Sequence, residues 1–278
     1  MAEITAASVK ALRERTGLPM MDCKKALAET NGDEDAAVES LRKKGIKTQE
    51  TKIGRRDTSV GRMGVYADFE GGVAAMVELQ CESAPVASHN EFIGLANDLA
   101  KQLAAGPGAA TPEELLDQPS PSKEGGTLQA QKDELYNRIR EVFNLSRILR
   151  IDGSCGSYAH HAGVTKGVLL EVAGGNVEAA KDICMHIAAM NPTVVNKEDL
   201  DPQIVAKERE ILTEAARKEG KPENILEKMV DGRMRQFYAQ QVLEEQPFVK
   251  DDKQTVGKYA ESSKMKLIRF VTWELGKD

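Results

Sequence analysis

Along the first 45 residues the apolar positions recur at intervals of three and four, the signature of short amphipathic helices. Val9 and Leu12 share one face of a first helix, which Thr5 can cap and Gly17 can end in a left-handed conformation. Asp22 has the chemistry of an N-cap for a second helix, and Asn31-Gly32 is a good stop. Asp33 begins a third, with Ala37, Val38 and Leu41 on one stripe and Gly45 beyond its end. Between the first two helices Met20 and Met21 fall on the connecting turn. Two large thioether side chains there either tuck beneath the following domain or stay open to water as a contact point for a partner protein. So small a core predicts a semi-independent module, joined to the rest by the polar segment 46–57.

After that segment the period changes from helix to strand. Residues 60–69 and 73–81 are β-rich runs joined by Glu70-Gly71-Gly72, which reads as a hairpin. A helix follows with Phe92, Leu95, Ala96, Leu99, Ala100 and Leu103 at spacings of three and four. The pattern then returns. Gly61-x-x-Gly64-x-Tyr66-Ala67 is echoed by Gly153-x-x-Gly156-x-Tyr158-Ala159, and the strand containing Glu78-Leu79 is echoed by 167–173, containing Glu171-Val172. The helix ending Leu103-Ala104-Ala105 is echoed by Ile187-Ala188-Ala189. The middle of the chain is thus read as a duplication, two α+β halves that each pair a small antiparallel sheet with helices.

Between the copies, Thr111-Pro112-Glu113-Glu114 has helix-start chemistry, 119–126 reads as a flexible surface loop, 128–143 as a helix and 146–151 as a strand. Asp201-Pro202 starts a long helix, Gly220-Lys221-Pro222 breaks it, and a second runs to about residue 244; the two predict a protruding antiparallel helical hairpin. Ile204, Val205, Ile211 and Leu212, then Ile225, Met229, Phe237 and Val242, supply its apolar positions. Its charged outer faces are read as solvated, with an oligomer contact, such as a homodimer, as the alternative. A helix near Val256 and a strand over 265–275 bring the chain back to complete the second sheet. The expected units are 1–54 (helical module and linker), 55–140 (first core half), 141–200 (second), 201–247 (hairpin inserted in the second half) and 248–278 (return).

Composition narrows the function. The 278 residues carry a net charge of −6, 29% charged residues and 4% aromatics, so the cores are aliphatic. No apolar run approaches the roughly 20 residues a membrane span needs. The N-terminal Met-Ala-Glu-Ile-Thr has neither the basic nor the apolar region of a signal peptide, so the cytoplasm is the expected location. A net negative chain does not suit nucleic acid, whose phosphates need a basic surface; the basic run from Arg42 to Arg56 is read as a solvated linker. Cys23, Cys81, Cys155 and Cys184 are too widely spaced for a zinc site, and the last three lie in apolar contexts. Phosphate-binding loops, dinucleotide-binding glycine patterns and nucleophile elbows are absent from the sequence. His160-His161 lies along a strand with side chains on opposite faces, a poor start for a metal site. No cofactor, metal or catalytic residue is expected. The chain should act by contact.

A resemblance says with what. Leu12-Arg13-x-x-Thr16-Gly17 followed by Met20-Met21-Asp22-Cys23-Lys24-Lys25-Ala26-Leu27 resembles the N-terminal signature of the bacterial elongation factor Ts family. Gly156-Ser157-Tyr158-Ala159-His160, residues 228–235 and Gln246-Pro247-Phe248-Val249 resemble further family stretches. The resemblance implies a UBA-like three-helix module, the duplicated core and the hairpin. Its implied role is to bind the GTPase elongation factor Tu, loosening GDP and its magnesium so that GTP can replace it, without binding nucleotide itself. It places Arg13, Met20, Met21 and Lys24 at the GTPase-domain contact, with Ile139 and His160 at further contacts; a satisfied edge-strand histidine is the plainer account of His160.

The family pattern breaks in the first core half. Where relatives carry an Asp-Phe pair that wedges into the partner near the magnesium site, this chain reads Ser83-Ala84-Pro85-Val86. The lost charge and ring imply weaker or differently routed exchange. The alternative is a chaperone-like module that holds elongation factor Tu without speeding release.

Overall fold

The computed structural model describes residues 4–52, 56–160, 165–219 and 223–277. The fold is α+β, as expected: among the described residues, an N-terminal helical module, two three-stranded antiparallel sheets with their helices, a helical hairpin and a two-stranded antiparallel ribbon.

The N-terminal module contains α1 (Ala6–Thr16), α2 (Met20–Glu29) and α3 (Glu34–Lys52) around Val9, Leu12, Leu18, Cys23, Ala26, Leu27, Ala37 and Leu41. Thr5 caps α1, accepting from the Ser8 N–H at 3.1 Å, and Gly17 ends it at φ 68°. Two expectations change here. Helix α3 does not stop before Gly45 but runs on to Lys52, and Gly45 is buried within it. Asp22 does not cap α2: the Asp22 and Cys23 N–H groups both donate to the Pro19 carbonyl, at 3.0 and 3.1 Å, so the helix opens at Met20 with Pro19 before it. An exposed first turn can leave its remaining N–H groups to water, so no side-chain cap is required.

The duplication is plain in space. In the first half β1 (Val60–Asp68), β2 (Val73–Cys81) and β3 (Asn144–Asp152) form one sheet in that order. In the second, β4 (Cys155–Ala159), β5 (Lys166–Gly174) and β8 (Met265–Glu274) form the other. The strand between the copies therefore closes the first sheet. Helices α4 (Ala84–Ala87), α5 (Asn90–Ala105), α6 (Pro112–Leu116) and α7 (Leu128–Ile139) accompany the first sheet, and α8 (Val177–Met190) the second. The expected helix over 128–143 stops at Ile139 because Arg140 takes φ 66°. The loop 119–126 is tied to its surroundings: Ser120 Oγ donates to Gln131 Oε1 at 2.8 Å, and Lys123 pairs with Glu134.

Strand alternation builds four layers. Ala75, Val77, Leu79 and Cys81 of β2 face α5, α6 and α7, while Ala74 and Met76 face the other sheet. Val168, Leu170 and Val172 of β5 face α8, and Leu169 meets the first sheet with Cys155 and Ile151. Helices thus lie outside two sheets packed back to back.

The repeated glycines explain the repeated motif. A Cβ on Gly64 would fall on the Ala96 carbonyl oxygen of α5, and one on Gly156 would sit 2.7 Å from the backbone of Ala180 of α8. In each half the helix lies directly on a side-chain-free strand position.

Beyond the second half, α9 (Pro202–Lys218) and α10 (Glu223–Gln241) form the antiparallel hairpin, closed by Ala216, Val230 and Met234 with Val205, Leu212, Leu226, Phe237 and Tyr238. Ile204, Ile211 and Ile225, expected among its apolar positions, face outward, and the Gly220-Lys221-Pro222 break lies outside the described residues. The chain returns through β6 (Pro247–Phe248), β7 (Asp251–Thr255) and α11 (Val256–Ser262). All four cysteines are buried and free. Burial raises the Cys81 and Cys155 thiols to about 11, which makes both poor nucleophiles.

His186 anchors the base of the hairpin. It is fully buried on α8; its Nδ1 accepts the Val249 N–H at 3.3 Å and its Nε2 lies 2.8 Å from Gln246 Oε1, so the ring is neutral with the proton on Nε2. Burial lowers its pKa from 6.5, partly opposed by the Gln246 bond.

Two outcomes are expected. Gly64→Ala should destabilise the fold by about 1–3 kcal/mol in urea unfolding, because the overlapped atom is backbone and cannot rotate away. A histidine whose folded pKa is depressed is protonated preferentially in the unfolded chain. Stability should therefore fall as pH drops below the unfolded value of about 6.5, and His186→Gln should remove that part of the slope in urea midpoints taken from pH 7.5 to 5.

Candidate functional site

The α1–α2 turn sorts its apolar residues by burial. Leu18 turns inward at 5% exposure, while Met20 and Met21, in the first turn of α2, stand 49% and 61% exposed. The two thioethers are therefore open to water and not tucked under the core. Arg13 on α1 and Lys24, one turn after Met20, are exposed on the same module. The Asp22 carboxylate faces the core and pairs with Arg140 at 2.9 Å.

Residues 83–86, the second stretch singled out in the sequence, form the short turn between β2 and α5. Ser83 precedes α4, and its N–H and Oγ both donate to Glu141, at 3.1 and 2.7 Å. Glu82 accepts from the Val142 N–H at 2.8 Å and pairs with Arg56. At the far end, Arg62 Nη1 donates to the Ala87 carbonyl at 3.3 Å. Ala84 and Pro85 are exposed between these anchors, and Val86 is half-buried against the first core.

One short stretch of chain touches both regions. Arg138 lies against Gly17, Arg140 binds Asp22, Glu141 binds Ser83 and Val142 binds Glu82. Ile139 sits in the middle of it, half-buried against the first core cluster. Residues 138–142 thus join the α1–α2 region, through Gly17 and Asp22, to the Glu82–Ser83 turn, with Ile139 between the two sets of contacts. His160 takes no part in these contacts. It lies just past β4 with its ring exposed and Nδ1 3.0 Å from the Tyr158 hydroxyl; His161 lies outside the described residues.

The sequence reading overlooked Asp22, Arg140 and Glu141 as connectors. The charges were visible, but their partners lie 118 and 58 residues away along the chain. Among the described residues no group of three or more His, Cys, Asp and Glu is arranged to hold a metal ion, and no helix is long and apolar enough to cross a membrane. What these segments expose to water are the thioethers of Met20 and Met21 with Arg13 and Lys24 on the module, and Ala84-Pro85 on the turn.

Residues 82–277 match the family model described as Elongation factor TS. The chain is 44% identical over 276 residues to "Elongation factor Ts" of Methylococcus capsulatus, covering 98% of this chain and 92% of that protein. It is 41% identical to the proteins of the same name from Thioalkalivibrio sulfidiphilus and an Azoarcus species, covering 98% and 99% of this chain and 92% of each relative.

Proposed function

The chain belongs to the elongation factor Ts family, and on that basis we propose that it binds elongation factor Tu carrying GDP and promotes release of the nucleotide and its magnesium during translation elongation. The observation that supports this reading is the frame at residues 138–142, in which Arg140 holds Asp22, the neighbour of the exposed Met20 and Met21, and Glu141 holds Ser83 at the start of the exposed Ala84-Pro85 turn. Arg13 and Lys24 extend the module's contact surface; Ile139 lies within the frame, and His160 offers a separate contact from the second half.

The mechanism asks for no bond-making. A factor that binds the nucleotide-free GTPase more tightly than the nucleotide-bound form lowers nucleotide affinity, and bound nucleotide lowers the factor's affinity by the same ratio. The methionines supply apolar area that a partner can desolvate, and Arg13 and Lys24 supply charge beside it. The Ala84-Pro85 pair occupies the position of the family's wedge without its carboxylate or ring, so the remaining contacts carry the exchange.

The first test is stopped-flow release of a fluorescent GDP analogue from the cognate elongation factor Tu. The parent chain should accelerate release; tight binding with no acceleration would overturn the proposal. Replacing both Met20 and Met21 with Ser should change stability by no more than about 0.5 kcal/mol, as expected at exposed positions, while raising the factor concentration needed for half-maximal release. Ala84→Asp combined with Pro85→Phe should speed release by about one to two decades, the worth of burying one aromatic side chain at roughly 1.5–3 kcal/mol. An unchanged rate would show that other residues already do the wedge's work.

A further inference from the structure

Glycine within a helix is disfavoured relative to alanine, so Gly45, buried in α3, calls for a reason. The reason lies on α7. A Cβ on Gly45 would coincide with Asn137 Oδ1 and would lie 2.6 Å from its Cγ and 2.8 Å from its Nδ2, so the carboxamide rests directly on the glycine backbone. Asn137 is 8% exposed, and its Oδ1 has no hydrogen-bond donor.

The next residue repeats the device. The Arg138 side chain passes over Gly17, whose missing Cβ would lie 3.1 Å from the arginine Cδ. Arg140 then pairs with Asp22. The last turn of α7 thus takes hold of α3, the α1–α2 turn and α2 in succession, and a cleft of about 520 Å³ remains beside these contacts, between the module and the core. Immediately afterwards Glu141 and Val142 hold Ser83 and Glu82.

We propose that Gly45 and Asn137 form a lock that docks the N-terminal module on α7 and holds it in register with the α4 turn, making the two partner-facing segments one preformed surface. Gly45 is a positioning residue and touches no partner atom. The proposal rests on the exchange function above. A module tethered only by its linker would present both segments together in a fraction of molecules, and apparent affinity falls by that fraction. The lock removes that loss.

Gly45→Ala improves the helix but drives a methyl group into the carboxamide. In the free full-length protein, hydrogen exchange of the α3 and α7 amides should become faster. The factor concentration for half-maximal GDP release should rise about tenfold if the docked fraction falls to about a tenth. The rate at saturating factor should stay within about twofold, the pattern of lost uniform binding. Adding Asn137→Ala vacates the space the methyl needs, so the double variant should regain the parent's protection and half-saturation. Unchanged exchange and half-saturation in Gly45→Ala would overturn the lock, and so would failure of the second substitution to restore them. A parent chain that does not accelerate release would defeat the proposed function instead, while hydrogen exchange in the free chain would still decide whether the lock exists.

Discussion

Glu78 is a carboxylate almost wholly out of water, 1% exposed on the face of β2 that meets the second sheet. Isolated there, it would be strongly unfavourable. It is not isolated: Arg147 Nε and Nη2 reach Oε2 at 2.8 and 2.7 Å, and the Gln80 amide and Gly276 N–H reach Oε1 at 2.7 and 3.2 Å. The same guanidinium lies over the Trp273 ring, 4.5 Å from its centroid, and donates to the Glu274 carbonyl at 3.0 Å. These donors come from β2, from β3 and from the end of the chain after β8. Satisfying one charge therefore requires both sheets to take one relative position. The first sheet also shifts register between Glu78 and Leu79, and the second shifts at the equivalent Glu171 and Val172, where Arg269 pairs with Glu171 at 2.6 Å. Both halves share the bulge and the ion pair, but the first half buries its pair deeply and ties it to the second.

That constraint bears on the candidate site because β2 runs straight from Glu78 to the Glu82–Ser83 turn. With the strand end fixed, the turn needs few further anchors, and it obtains them from the segment after α7. The N-terminal module reaches the same segment from the other side. Met20 and Met21 remain exposed because Leu18 already fills the module's small core. A rigid frame with apolar residues left at its surface suits a protein that binds a partner, since little order has to be acquired on association.

Much of this was legible along the chain. The strands of the first hairpin and the helix after it follow their periodicities closely, and the paired Gly-x-x-Gly motifs revealed the duplication because a helix cannot sit on a strand that carries a side chain there. What escaped were the places where a residue with a good local role serves a distant one. Asp22 has the chemistry of a cap, yet its carboxylate faces Arg140, and Pro19 can start the helix without it. Gly45 resembles a helix stop, yet the helix runs on to Lys52 and the glycine lies against the Asn137 carboxamide of α7. The strand β3 belongs to the first sheet because its register partners lie on β2. In each case the deciding partner lies outside any window over which propensity or period is read.

Ala84 and Pro85 are exposed in the short turn between β2 and α5. The turn is held by backbone and carboxylate contacts of Glu82, Ser83 and Ala87, and Pro85 suits the first turn of α4, while the side chains of 84 and 85 pack against little of the core. Under the proposed function the effect of a change at these positions runs both ways. A smaller wedge distinguishes less between the empty and the nucleotide-bound partner, so the factor loosens nucleotide less and, by the same ratio, nucleotide displaces the factor less. The loss of nucleotide affinity and the ease with which nucleotide dissolves the complex are one coupling free energy seen from two sides, and under the proposed function residues 84 and 85 add to it alongside the remaining contacts.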